Sequence, residues 1–374
     1  MKEIIFDCEV VTPMFMAGVN QRYAELRAPS IKGLLRWWFR ASHSGPPMAD
    51  LAKKEAEIFG STDRISAVRV RISFRDDNAD TWKGDDVKED EDLQFEPGED
   101  KRVTGSDAGI GFLFYSTFLR KDRHGDVKQQ RGYFKPGFRF RLELSSNKKE
   151  ALKSATEAFW LLSFLGGIGS RSRRGAGNLC IHKIEGMQHF SAMAPLLLEA
   201  TKAEELKTFL RNGIEMIRPK STSASGFTSL AGVSIIILNK TFSTWKDALN
   251  EIGSKYEEYR FDKRSYPAVG ASFGMPVMHD QGNVKIVPKI PKGERFASPL
   301  HFKVWKAGQF YFAGIVCLHS NLYSSDLKVV TKKRERDGKW KIDGSPFSAS
   351  RNAVQDFIKL FPDDNVLRLS FGAL

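Results

Sequence analysis

Apolar and polar positions alternate at the start of the chain. Residues 4–11 read IIFDCEVV, with Asp7 and Glu9 among apolar neighbours, and Thr12–Pro13 ends the run. This pattern predicts a strand. A loop follows over 18–27. Pro29 and Ser30 then open a helix over Ser30–Ser42, with Ser30 as its cap and Ile31, Leu34, Leu35 and Trp38 facing the core. Ala49–Phe59 reads as a second helix. VRVRISF at 68–74 alternates apolar and basic residues, as a half-buried strand does. Strands are predicted at 112–119 and 138–144. Lys149–Leu165 is helical in pattern, with Leu152, Ala155, Phe159 and Leu162 on one face. A glycine-rich loop covers 166–177, and residues 178–184 return to strand.

That order is β-α-β-β-α-β, the split β-α-β or ferredoxin-like scheme. The second half partly repeats it. Strands are predicted at 233–238, 301–305, 310–318 and 366–371, helices at 244–259 and 348–361, and a Gly/Pro-rich loop at 267–276. The predicted fold class is α+β: tandem ferredoxin-like (RRM-like) domains with insertions. The N-terminal domain is residues 1–190, with an acidic insertion at 75–100, and the C-terminal domain is 191–374. The chain's 374 residues also suggest two cores.

Charge narrows the function. Lys and Arg number 58 against 45 Asp and Glu, a net +13. Residues 75–100 hold twelve of the acids and three of the bases, so the rest of the chain is far more basic than the total shows. Its composition predicts a mobile loop. A body that basic points to a polyanionic partner, with nucleic acid first and an anionic membrane surface second. No apolar run approaches the ~18 residues of a membrane span, and a membrane-surface helix would need an exposed apolar face, whereas the tryptophans of the basic 30–42 helix read as core, so no membrane association is expected. With Glu3 and Asp7 inside its apolar stretch, the N-terminus is expected to be a strand and not a signal peptide. Cys8, Cys180 and Cys317 are odd in number and far apart, which fits a reducing cytoplasm and no disulfide framework.

Three basic motifs could hold RNA. In PSIKGLLRWWFRA (29–41), Lys32, Arg36 and Arg40 recur every four residues as one stripe. Ser30 stands where helix N–H groups favour a phosphate. Gly33 costs a helix ~1 kcal/mol relative to Ala, and close passage of a ligand would explain it. In LGGIGSRSRRGAGN (165–178), Gly166, Gly167, Gly169, Gly175 and Gly177 surround Arg171, Arg173 and Arg174. Such glycines let backbone N–H groups approach a phosphate chain, and arginine adds bidentate contacts. The loop follows a helix and leads into a strand, unlike dinucleotide or triphosphate loops. In KKRERDGKWK (332–341), Asp337–Gly338 marks a hairpin turn between basic arms, with Trp340 as a candidate stacking platform. The seven histidines lack metal-ligand spacing. His43 ends the first helix, where it could be a general base or a partner of the helix dipole.

The helix motif Ser30-x-Lys32-Gly33-x-x-Arg36 and the 166–177 loop resemble the signatures of the RAMP superfamily of CRISPR proteins. The opening TPMFMAGVNQRYAELRAPSIKGLLRWWFRA is similar to the family of first subunits of type III-B (Cmr) RNA-guided effectors. The match is close over 1–45 and 160–180. The resemblance implies tandem ferredoxin-like domains, no cofactor and no cleavage by this subunit. It implies guide RNA bound near its 3′ end, and packing at the head of the complex beside backbone and capping RAMP subunits. Target RNA is a further candidate partner. Arg27, Lys32, Arg36 and Arg40 are expected on one wall of a cleft, and Arg171, Arg173 and Arg174 on the other. The alternative the resemblance leaves open is a metal-independent endoribonuclease processing guide RNA, with His43 as general base.

Overall fold

Two four-stranded antiparallel sheets organise the chain. The computed structural model describes all residues except 44–46, 74–80, 83–94, 98–101, 116, 118–119, 122–126, 129–130, 191–192, 218–226, 280–281, 291–293, 321–326, 351 and 373–374. The predicted mobile loop at 75–100 therefore falls almost wholly outside the described residues.

The first half runs β1 (Lys2–Val10), α1 (Ala28–Ser42), α2 (Met48–Phe59), β2 (Val68–Ser73), α3 (Ala108–Leu113), β3 (Arg139–Ser146), α4 (Lys149–Phe164) and β4 (Leu179–Glu185). Its sheet has the order β4-β1-β3-β2, all antiparallel. Alternation drives it: Ile4, Phe6, Cys8 and Val10 of β1 are all buried on one face. The ring of Phe159 from α4 lies 4.7 Å from that of Phe6.

The second half runs α5 (Ala203–Ile217), β5 (Ser229–Leu238), α6 (Trp245–Asp262), α7 (Pro267–Ala271), β6 (Val277–His279), β7 (Val284–Pro288), β8 (Leu300–Ala307), β9 (Phe310–His319), β10 (Val329–Arg334), β11 (Trp340–Phe347), α8 (Ala353–Ile358) and β12 (Val366–Ser370). Its main sheet is ordered β8-β9-β5-β12. In both halves the order is thus fourth, first, third, second strand, which is what the split β-α-β scheme requires. The insertions β6, β7, β10 and β11 make a third sheet in that order. It closes over a small core of Ala271, Met275, Ile286, Val329 and Ala349.

Four expectations are corrected. Helix α1 begins at Ala28 with Arg27 in the cap position, and that cap has no side-chain hydrogen bond, so Ser30 lies within the first turn. Residues 108–113 are helical where the aromatic run predicted a strand from 112. The cause is tertiary: Gly109 meets the backbone of Gly253 and Ser254 in α6 so closely that a side chain would not fit. The 267–276 loop contains α7. Helix α5 was not foreseen, and Gly213 seats it against the Trp160 ring of α4. Covered on that side too, α4 buries nearly every residue from Ala151 to Phe164 rather than one stripe.

Candidate nucleic-acid interface

The stripe on α1 divides into two unlike parts. Arg36 Nε lies 2.6 Å from Glu55 Oε1, and Arg40 Nη1 lies 2.7 Å from Glu55 Oε2. Arg36 also donates to the Gly60 carbonyl at 3.2 Å. Glu55 sits on α2 and is buried, so the two arginines clamp α2 to α1. They are therefore not the free cations their spacing predicted. Arg27 pairs with Glu25 at 3.4 Å, both well exposed. Lys32 differs. Among the described residues it has no acidic partner. Burial, and then the nearby Arg36 charge, hold its ammonium below the usual lysine range. Beside it Gly33 is exposed, and among the described residues nothing lies within 4 Å of where a Cβ would be.

The 166–177 loop does other work than its glycines suggested. Gly166, Gly167, Gly175 and Gly177 are buried, and Gly169 is half-buried. Gly177 has φ +63°, and a Cβ there would overlap the Ile168 carbonyl. A Cβ on the others would meet Trp38, the Ala176 carbonyl, the Phe15 carbonyl or Leu249, all groups of this chain. The fold itself thus accounts for all five glycines. The arginines turn inward as well. Arg171 donates to the Tyr115 carbonyl and Arg173 to the Ser298 carbonyl. Arg174 donates to the Phe273 carbonyl at 3.1 Å, with its guanidinium 4.7 Å from the Tyr256 ring centre. Burial, then the charge of Arg174, hold Arg171 and Arg173 at about 10. Loop and helix do meet, because Arg173 lies 5.3 Å from the ring centre of Trp37 on α1.

Behind this junction lie residues the sequence did not mark. The Asn178 side-chain carbonyl accepts from Val304 N at 2.5 Å, and Thr12 Oγ1 donates to the Gly175 carbonyl at 2.7 Å. Lys303 is wholly buried, and its ammonium donates to the carbonyls of Ser163 (2.9 Å) and Gly166 (2.6 Å) at the C-terminal end of α4. Burial brings its pKa down to about 7. Glu9, also buried, binds Lys306 at 2.5 Å and His182 at 2.6 Å. Its burial raises the carboxyl pKa, but hydrogen bonds from His182 and Lys306 outweigh that and take it to about 2. All of these contacts tie the first half to β8 or brace the loop except that of Glu9 with His182, which joins the neighbouring strands β1 and β4. Single polar residues within apolar strands carry no sequence pattern that announces them. His43 places Nδ1 2.9 Å from the Phe39 carbonyl of its own helix and 3.0 Å from Ser42 Oγ, with its ring tilted over that of Phe39 at 4.1 Å. It closes the end of α1.

This combination of doubled sheet order, a Lys-Gly helix turn and a buried glycine loop after α4 defines a class. A family model described as the RAMP superfamily matches residues 7–180. The chain is 34% identical over 194 residues to CRISPR system Cmr subunit Cmr1-2 of Pyrococcus furiosus, covering 50% of this chain and 99% of that protein. It is 27% identical over 336 residues to subunit Cmr1-1 of the same organism, covering 86% and 89%. The chain therefore belongs to the RAMP superfamily, in its family of Cmr1 subunits. Solved structures share the fold. The apo crystal structure of Cmr1 from Pyrococcus furiosus superposes with TM-score 0.61 at 22% identity, covering 98% of each chain. A chain of the cryo-EM structure of the Type III-B Cmr-beta bound to cognate target RNA gives 0.57 at 14% identity, covering 96% and 98%. Among the described residues no helix is long and apolar enough to cross a membrane.

Proposed function

We propose that this chain is a non-cleaving, guide-RNA-binding subunit of a type III-B effector. In this reading the RNA backbone crosses the first turns of α1, at Ser30, Lys32 and Gly33, with Arg27 at the edge. The reading draws on the names of its relatives, which are Cmr subunits, and on the RNA in the Cmr-beta assembly. One observation carries the placement. Gly33 faces solvent inside a helix, where glycine costs ~1 kcal/mol, and among the described residues nothing needs the space. An external strand passing close to the backbone, with the unpaired Lys32 beside it, accounts for both residues. Arg36 and Arg40 contribute through the helix they hold, while still adding positive potential.

Gly33→Ala and Gly33→Gln separate this from a structural role. Both variants should melt at or above the parent temperature. Both should bind labelled guide RNA several-fold more weakly, Gln more so. Parent-like affinity in both would remove α1 from the interface. The same incubations, without metal, should leave the RNA intact. Discrete products that disappear in His43→Ala would instead establish an endoribonuclease.

A further inference from the structure

The hairpin formed by β10 and β11 is a strongly charged patch that the α1 site does not use. We infer that it is a second contact for the phosphate backbone of single-stranded RNA, held by Lys333, Arg334 and Arg336. This inference rests on the RNA-binding reading above and extends it to a surface in the other half of the molecule.

Lys333 stands directly opposite Lys341 across the hairpin. Like charges in directly opposed positions weaken a strand pair. Lys341 is partly offset by Glu335 at 3.4 Å, and Lys339 by Asp337 at 3.3 Å. Lys332 and Lys285 share Glu294 at 2.8 and 2.6 Å. Lys333, Arg334 and Arg336 remain: all three are exposed, and among the described residues none has an acidic partner. Three unpaired cations at one tip favour nothing within the fold. They suit an external polyanion.

A groove of about 710 Å³ runs along the hairpin, where Ile342 and four cations, Lys333, Arg334, Arg336 and Lys341, line it together with three carboxylates, Glu335, Asp337 and Asp343. Ile342 is 51% exposed within it, an apolar surface against which a base can rest. Trp340, the candidate stacking platform, is already covered: the Lys285 ammonium lies 4.4 Å from its ring centre. The expected contact is therefore with phosphates, sequence-independent, with Ile342 adding weak packing. The sheet rests on its own small core, so the tip can be altered without disturbing the two main sheets.

The test is the salt dependence of binding to a fluorescein-labelled oligouridine by the full chain. In Lys333→Ala/Arg334→Ala/Arg336→Ala, the magnitude of the log K against log salt slope should fall by about 2, roughly 0.7 per lost contact on a single strand. Affinity at low salt should fall at least about tenfold, with the melting temperature unchanged. A control removes the same charge from exposed lysines that already have partners, Lys183→Ala/Lys240→Ala/Lys359→Ala. It should keep the parent slope. If the hairpin variant binds like the parent while Gly33→Gln does not, the hairpin inference fails and the α1 reading stands. If neither variant weakens binding, the RNA reading itself fails. If the hairpin variant keeps RNA but no longer co-elutes with the other complex subunits, the surface takes a protein partner and the inference is overturned. Equal slope losses in control and hairpin variants would reduce the effect to net charge and overturn it as well.

Discussion

Glu55 decides what its two arginine neighbours do. Its carboxylate is buried and accepts from both Arg36 and Arg40. Removing the arginines leaves that charge without partners, and an unpaired buried charge is strongly unfavourable. The arginine side chains are each 37% exposed, so solvent softens the effect. Arg36→Ala/Arg40→Ala is expected to cost about 1–3 kcal/mol in denaturant unfolding. Adding Glu55→Gln to that variant should recover much of the loss. Two glycines give a sharper contrast. Gly33→Ala should stabilise by up to ~1 kcal/mol, because a helix gains and no neighbour is touched. Gly177→Ala forces a positive φ on a side chain and drives it into the Ile168 carbonyl, so a loss of ~2 kcal/mol or more is expected. Equal effects from the two would contradict the roles given to them. Both residues stand out in the sequence, Gly33 as a glycine inside a helix and Gly177 within a glycine-rich loop, yet sequence could not say which one faces its own chain and which faces outward.

At the scale of elements, β1 to β3, α1 and α2 were legible because burial on one side imposes a period, as in VRVRISF, and α4 was legible through its Leu152, Ala155, Phe159 and Leu162 spacing even though its other faces are buried as well. Helix α5 was legible too, through Leu206, Leu210, Ile214 and Ile217 with Glu204 and Glu205 in its first turn, although it was not foreseen. Helix α3 was not legible: its two glycines and aromatic flank argue against a helix, and only its contact with α6 makes one. The 166–177 loop shows the same limit. Its composition matches phosphate-binding loops, but what surrounds it is β8, the Tyr256 ring and the Phe15 backbone. Arg173→Ala/Arg174→Ala is therefore expected to lower the melting temperature clearly. Folded protein should keep its RNA affinity and salt slope. A lower slope without loss of stability would return these arginines to the interface.

Across the whole molecule, Glu9 of β1 joins the halves through Lys306 of β8, with His182 of β4 alongside. Its carboxyl pKa falls from 4.5 to about 2 on folding, a difference worth roughly 3 kcal/mol. Because the folded value is the lower one, the contribution is complete above pH 4.5 and disappears as pH falls towards 2. Glu9→Gln should thus destabilise at pH 7 and converge with the parent at pH 2. An equal difference at both values would show that the clamp is not ionic. The molecule that emerges is two similar sheets locked by buried polar contacts, and among the described residues Lys32 on α1 and Lys333, Arg334 and Arg336 at the β10–β11 tip lack an acidic partner.

The central claim is that RNA crosses the first turns of α1. Amide hydrogen exchange of the full chain, with and without guide RNA, tests it most directly. The account predicts slower exchange over residues 28–37 with RNA bound, while the peptide over 166–178, already buried, changes little. Saturating RNA that leaves 28–37 unchanged, or protects 166–178 instead, would contradict it.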